Sequence, residues 1–516
     1  MRRLLTLVVL VTLVLFGAAV PAGAATGTTG FSFFDLTASD GVVLKANVIA
    51  PTTPGRHPAI VFISSWGVND LEYLAQARKF AEAGYVVLSY GARGFWASGG
   101  QIDTAGPKDI ADARTAVDWL VANPAVDPAR IGSAGISYGA GISLIAAGHD
   151  PRIRAVSAMS GWSDLVYSLY DQQTRHGQSV GFLGLAALIT GKPSAELTAI
   201  LGDFYANRNI ENIKSWGRVR SAASYVDGIN AHQPAILMAN AYGDSIFPPN
   251  QLVDFYGRLT GPKRLEFAPG DHAVVEGLGL AGLPNHVWDS TRQWFDRYLG
   301  AGSAIGQGVV LRPHGSSAVE TYPDWASTRT GVTRLGLGEV RWWDGTGPLG
   351  GTPATGWSRQ TWPRVDTPAY GGVALVSGAL DALTGVPPTV WLPAVSRANA
   401  GVWTSNPYAG GVRVRGTATL HLAVSPSAPR GTVVAYLYDL DSLGTGRLIT
   451  HTPVTWLSAT ATLDAAFPAA AYDVPAGHRL ALVLDGKDSL YLDMNDTLGA
   501  TLSYQGSSWL DLPTRS

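Results

Sequence analysis

The pentapeptide Gly135-Ile136-Ser137-Tyr138-Gly139 constrains this chain more than any other stretch. An apolar run, Ile131 to Ile136, leads into it, and a run rich in Ala, Ile and Leu that reads as a helix follows. A serine between strand and helix in a G-x-S-x-G frame sits on a strained turn with its hydroxyl exposed. The flanking glycines suit a turn that brings the strand and helix backbones close together. The N–H of Tyr138, at the start of the helix, points where a developing oxyanion is stabilised. Ser137 is therefore the candidate nucleophile. The rival reading is an ordinary turn serine.

Partners for Ser137 follow in the order acid, then histidine. Residues 234–241 read as a buried strand running into Tyr242-Gly243-Asp244-Ser245. Lys263 to Phe267 reads as the next strand, leading to Pro269-Gly270-Asp271-His272. Asp244 and His272 thus fall at the carboxyl ends of neighbouring strands, the edge where open α/β sheets gather their sites. In a triad, His272 takes the Ser137 proton while Asp244 orients and stabilises the imidazole. Asp244 also reads as a turn residue capping the following helix. Asp271 shares a loop with His272 and is the poorer acid. His286, the nearest rival histidine, opens the helical run of Val287, Trp288 and Trp294.

From about residue 31 to 300, apolar strands alternate with helical patterns. Pro58–Ile63, Tyr85–Tyr90 and Ile153–Met159 are continuous apolar runs, as strands buried on both faces require. Asp70–Ala83 and Asp109–Ala122 carry apolar residues at helical spacing. This is the α/β-hydrolase pattern: a doubly wound sheet, placed at 27–302. Between about 163 and 230 no buried strand appears, and Leu183–Ile189 and Ala195–Leu201 look helical. That segment reads as a helical cap inserted over the site, or alternatively as a packing subdomain without substrate contact. Beyond 300 helical periodicity disappears, and alternation in 412–424, 432–438, 446–456 and 478–484 predicts a β-sandwich of jelly-roll type over 303–516.

Arg2 and Arg3, the apolar run Leu4 to Val20, and Ala22-Gly23-Ala24 predict a signal peptide at 1–24. The expectation is secretion, with cell-envelope association open and no stable membrane insertion after cleavage; an uncleaved anchor is the alternative. The formal net charge is −2 and no basic stretch occurs, so nucleic-acid binding lacks electrostatic support. The chain has no cysteine, which excludes disulfides and thiolate metal sites. No metal-binding motif is apparent, and neither a metal nor another cofactor is expected.

The elbow, the stretch Arg93-Gly94-Phe95-Trp96-Ala97-Ser98-Gly99-Gly100 and the run Asp112…Asp118-Trp119-Leu120 together resemble the X-Pro dipeptidyl-peptidase and cocaine-esterase family. The resemblance covers essentially the whole chain after the signal. It implies a hydrolase core, an inserted helical cap and a C-terminal jelly roll. It also implies a serine hydrolase working through an acyl-enzyme, with release of N-terminal Xaa-Pro dipeptides as the first reading and a carboxylesterase or acylase as the alternative. Ala140 stands where the family elbow has its last glycine, and Gly91 and Gly99 stand where it has acidic residues. Where the family places an oxyanion-hole tyrosine this chain has Trp66: its ring N–H or its backbone N–H is the candidate second donor beside Tyr138, or that donor lies elsewhere. Release of N-terminal Xaa-Pro dipeptides requires a carboxylate for the substrate α-ammonium. Asp164 is the best-placed candidate, with Asp171 and Glu196 behind it. A carboxylesterase or acylase needs only an apolar acyl pocket, to which Trp162, Trp66 and Tyr138 are candidate contributors. The expected partner is a small ester or peptide. A reading from another class, an envelope-binding protein with a degenerate hydrolase core, stands against the complete triad.

Overall fold

The computed structural model describes residues 28–300 and 302–516; the expected signal peptide lies outside them. Ten strands build the first sheet: β1 (Thr29–Thr37), β2 (Val43–Pro51), β3 (His57–Ile63), β4 (Val86–Tyr90), β5 (Val126–Ile136), β6 (Ile153–Met159), β7 (Ala235–Ala241), β8 (Lys263–Ala268), β9 (Gly308–Leu311) and β10 (Glu320–Tyr322). Their order is β1-β2-β4-β3-β5-β6-β7-β8-β9-β10. Strands from β4 through β9 in that order pair parallel, and antiparallel strands finish both edges.

The alternation along β3 shows why a continuous apolar run is needed. Val61 and Ile63 enter the core on one face, and Ile60 and Phe62 the core on the other. Helices α1 (Leu74–Glu82), α2 (Pro107–Ala122) and α3 (Tyr138–His149) follow β3, β4 and β5 in turn. Phe80 of α1 packs against Phe62, and Val117 of α2 joins Val61. Between β6 and β7 the chain leaves the sheet for five α-helices: α4 (Leu165–Tyr170), α5 (Gly177–Thr190), α6 (Ala195–Ala206), α7 (Ile210–Val219) and α8 (Val226–His232). Helices α9 (Asn250–Arg258), α10 (Val274–Leu280) and α11 (His286–Tyr298) complete the first half.

The second half packs a seven-stranded sheet against a six-stranded one. Val433, Ala435 and Leu437 of the strand Gly431–Leu440 point into the core between the sheets, with Leu482, Leu420 and Leu510. Val434, Tyr436 and Tyr438 fill a separate cluster on the other face. That strand is buried along its whole length, so the in-and-out alternation expected over 432–438 is not met there: both of its faces are covered.

Two further features differ from the sequence reading. Strands β9 and β10 follow residue 302 yet belong to the first sheet, because the apolar Gly308–Leu311 pairs parallel with β8. The stretch beyond 300 also holds a helix, α12 (Val376–Thr384), closed by Gly385 at φ 70° with its N–H donating to the Asp381 carbonyl. Nine residues between glycine- and proline-rich loops carry too few turns for periodicity to register.

Candidate active site

The turn between β5 and α3 holds Ser137 at φ 55° and ψ −111°, a conformation costly for a residue with a Cβ. Close packing enforces it. A Cβ on Gly139 would lie 1.9 Å from the Ile63 carbonyl oxygen, and one on Gly135 would lie 2.5 Å from the Gly139 backbone. Only glycine at both positions lets α3 start directly over the end of β3.

Ser137, His272 and Asp244 meet at this edge. His272 Nε2 lies 2.8 Å from Ser137 Oγ, and His272 Nδ1 lies 3.1 Å from Asp244 Oδ2. Asp244 Oδ1 accepts the N–H groups of Ile246 and Phe247 at 2.9 and 2.7 Å, so the turn-capping role and the contact with histidine coexist. Asp271 points elsewhere: its Oδ1 accepts the N–H of Ser245 and of His272, both at 2.7 Å. Histidine 286 begins α11 and has its pKa depressed by burial.

Charges around the imidazole are arranged asymmetrically. Burial alone would depress the His272 pKa, but the Asp244 carboxylate, with Asp271 and Glu276 behind it, holds it above the ordinary value. Burial pushes Asp271 up to about 6, with help from the charge of Asp244. Burial likewise pushes Glu276 up to about 7, although Ser160 Oγ donates to it at 3.1 Å.

Tyr138 is the first residue of α3, so its N–H has no intrahelical acceptor. Its phenol donates to Asp109 at 2.7 Å and accepts the Ala105 N–H at 2.8 Å. Burial pushes Asp109 up to about 8. The Trp66 indole does not face an oxyanion: its Nε1 donates to the Leu183 carbonyl at 2.9 Å, pinning α5. The ring N–H is thus engaged, while the backbone N–H of Trp66, in the loop after β3, stays a candidate beside a donor elsewhere. Glu72 braces that loop, accepting the Ser65 N–H at 2.7 Å.

Two spaces open at Ser137. The first is a pocket of about 110 Å³ lined by Trp66, Tyr138, Trp162, Leu165, Leu201 and Phe204 among others. Its single charged lining residue is Lys214, whose ammonium engages Glu211 at 2.8 Å and lies 5.5 Å from the Tyr170 ring centre. Among the described residues no carboxylate lines it. The second is a cleft of about 1120 Å³ reached by both Ser137 and His272. The carboxylate lining that cleft, Asp381, is bound to His314 at 2.7 Å.

Trp162 lines the pocket, stacked on Tyr138, with Nε1 donating to the Arg220 carbonyl. Asp164 lines neither space. Its Oδ1 caps α4 by accepting the Tyr167 N–H at 3.0 Å, so the α-ammonium role expected for it is not met in this structure. Asp171 binds His176 at 2.7 Å and Glu196 lies 3.3 Å from Arg220, and neither lines the pocket. Sequence reasoning missed α12, which lines the cleft, and the part played by α5, which lines both spaces. The composition of α5, apolar on every face, was the available signal. No group of metal-ligating side chains occurs among the described residues, and no helix there is long and apolar enough to cross a membrane.

Comparison with known proteins gives concordant matches. Residues 40–274 match the X-Pro dipeptidyl-peptidase (S15 family) profile, and residues 306–508 match that of the X-Pro dipeptidyl-peptidase C-terminal non-catalytic domain. An α-amino acid ester hydrolase superposes with a TM-score of 0.72 at 16% identity, covering 97% of this chain and 98% of that one. An aminopeptidase from a marine sediment Thaumarchaeota archaeon gives 0.70 at 15%, covering 97% and 99%. An uncharacterized 31.7 kDa protein of Escherichia coli is 27% identical over 284 residues, 51% of this chain and 97% of its own length.

Proposed function

The chain belongs to the X-Pro dipeptidyl-peptidase S15 family of serine hydrolases, and from that premise we propose that it cleaves esters of apolar acyl groups through a Ser137–His272–Asp244 triad. The observation that carries the reading is the pocket beside Ser137, predominantly apolar and, among the described residues, lined by no carboxylate. A free α-ammonium desolvated there would meet no carboxylate on the pocket wall, and the one charged residue on that wall, Lys214, has the same sign. An apolar acyl chain gains about 0.8 kcal/mol per buried methylene in such a pocket.

In this mechanism His272 Nε2 takes the Ser137 proton as Oγ attacks the ester carbonyl. The N–H groups of Tyr138 and Trp66 receive the oxyanion. On collapse His272 protonates the departing alcohol, leaving the acyl group on Ser137. Water, deprotonated by the same imidazole, then attacks the acyl-enzyme and releases the acid. The residues from 27 through the first sheet act as the catalytic unit, α4 to α8 as its cap, and the β-sandwich as a buttress, in a secreted protein.

The discriminating experiment compares p-nitrophenyl esters of increasing acyl length with Xaa-Pro p-nitroanilides. We expect kcat/KM to climb about four-fold per early methylene and the free-amine anilides to be poor substrates. Efficient cleavage of the anilides, lost on N-acetylation, overturns the ester reading in favour of the dipeptidyl-peptidase one. A fluorophosphonate probe is expected to label Ser137, with labelling and turnover both abolished in Ser137→Ala.

A further inference from the structure

Resting on the ester reading above, we propose that the cleft on the His272 side of Ser137 is a leaving-group site for a bulky apolar alcohol, with α12 from the β-sandwich half as its outer wall.

Helix α5 divides the two spaces. Val180 and Gly184 line the pocket, Phe182, Leu185, Ala186 and Ile189 line the cleft, and Leu183 between them borders both. Both sets recur at three- and four-residue spacing, so they form two faces of one helix. A helix apolar all round is usually buried all round. Here Leu188 and Ile189 remain 72% and 58% exposed, which leaves apolar surface uncovered beside the cleft.

The chemistry assigns the sides. The same imidazole that deprotonates Ser137 must protonate the leaving oxygen, so the leaving group departs on the face that His272 occupies. His272 lines the cleft and not the pocket. The acyl group therefore occupies the pocket and the alcohol the cleft. The cleft volume, about 1120 against 110 Å³, fits an alcohol larger than the acid.

Helix α12 is built into this wall. A Cβ on Gly378 would lie 2.4 Å from Asp271 Cβ, so the α12 backbone rests on the residue before His272. The Leu375 N–H donates to Ser245 Oγ at 3.2 Å, next to Asp244, and the Ala374 N–H donates to Gln178 of α5 at 3.0 Å. Leu380 and Leu383 then face the cleft, 55% and 68% exposed.

The test uses two ester series and two variants of the full chain. One series holds a butyryl group and lengthens the alcohol from methyl to decyl; the other holds methanol and lengthens the acid. In the wild type kcat/KM should rise about four-fold per early methylene in both. The double substitution Leu380→Ser with Leu383→Ser should lower the decyl-to-methyl ratio at least ten-fold and spare the acyl-length ratio. Gly184→Leu, which fills the pocket, should do the reverse. A flat alcohol series beside a steep acyl series overturns the cleft assignment alone. So does flattening of the alcohol series by Gly184→Leu instead of by the α12 variant. Failure to cleave any ester while Xaa-Pro anilides turn over overturns the ester reading and the alcohol site with it. An unchanged thermal midpoint in the α12 variant, expected for two exposed leucines, separates a binding effect from unfolding.

Discussion

At the scale of single residues, the imidazole of His272 is where charge and geometry are most tightly coupled. Its pKa is raised because the carboxylate field of Asp244, Asp271 and Glu276 outweighs burial. Only the neutral form accepts the Ser137 proton, so a raised pKa moves the acid limb of kcat/KM upward. We predict a limb midpoint above the ordinary histidine value of about 6.5, read from a pH–rate profile. Glu276→Gln removes one of the contributing charges and should shift that limb to lower pH. Asp244→Asn should lower kcat by about 10⁴, the loss known for an asparagine that imposes the wrong imidazole tautomer. A loss of only a few-fold would transfer the orienting role to Asp271. The positions of Asp244 and His272 were legible from strand ends and chain order; Glu276, on α10, was not. Nor was the engagement of the Trp66 indole, because whether an indole N–H is free depends on which carbonyl lies opposite it.

At the scale of elements, the β5–α3 turn and the loop after β4 carry the strain and the buried charge. Gly139→Ala puts a methyl within 1.9 Å of the Ile63 carbonyl oxygen, a contact neither backbone can relieve without moving α3. We expect a cost of about 3 kcal/mol in chemical denaturation, with turnover lost as Ser137 is displaced. Arg93 joins α2 to that second loop: its guanidinium binds Asp112 at 2.6 and 2.7 Å and Asp40 at 2.9 Å. Arg93→Met strands the Asp112 carboxylate in the core and should cost about 3–5 kcal/mol by the same assay. In the double variant with Asp112→Leu, most of that loss should return, since no charge then remains buried. The pairing of these two residues was hidden in the sequence, where they appear only as separate similarities to one family.

At the scale of the whole molecule, several buried carboxyls make stability depend on pH in one direction. Burial pushes Asp109 up to about 8 and Glu72, Glu276 and Asp485 up to about 7. Unfolded, such groups ionise near pH 4, so the native state binds more protons between about pH 4 and 8. Their contribution to stability is full below that window and is lost as pH rises through the folded values. Glu320, lowered to about 2 because its ion pairs with Arg415 and Arg413 outweigh burial, loses its own contribution only at more acid pH. We therefore expect the thermal midpoint to fall from about pH 5 to about pH 9, and Asp109→Asn to flatten that slope.

The sequence by itself determined the α/β-hydrolase core and the sandwich that follows it, because buried parallel strands and half-buried antiparallel ones leave different periodicities. It also determined the order of the candidate nucleophile, acid and base, because a strand end fixes which edge of the sheet a residue occupies. Tertiary structure alone decided what surrounds them. That Asp164 caps a helix, that Trp66 spends its indole N–H on Leu183, and that α12 comes to rest on Asp271 from more than a hundred residues away are matters of packing between distant segments. Local patterns carry no record of such contacts, because they depend on where segments far apart in the chain are brought together.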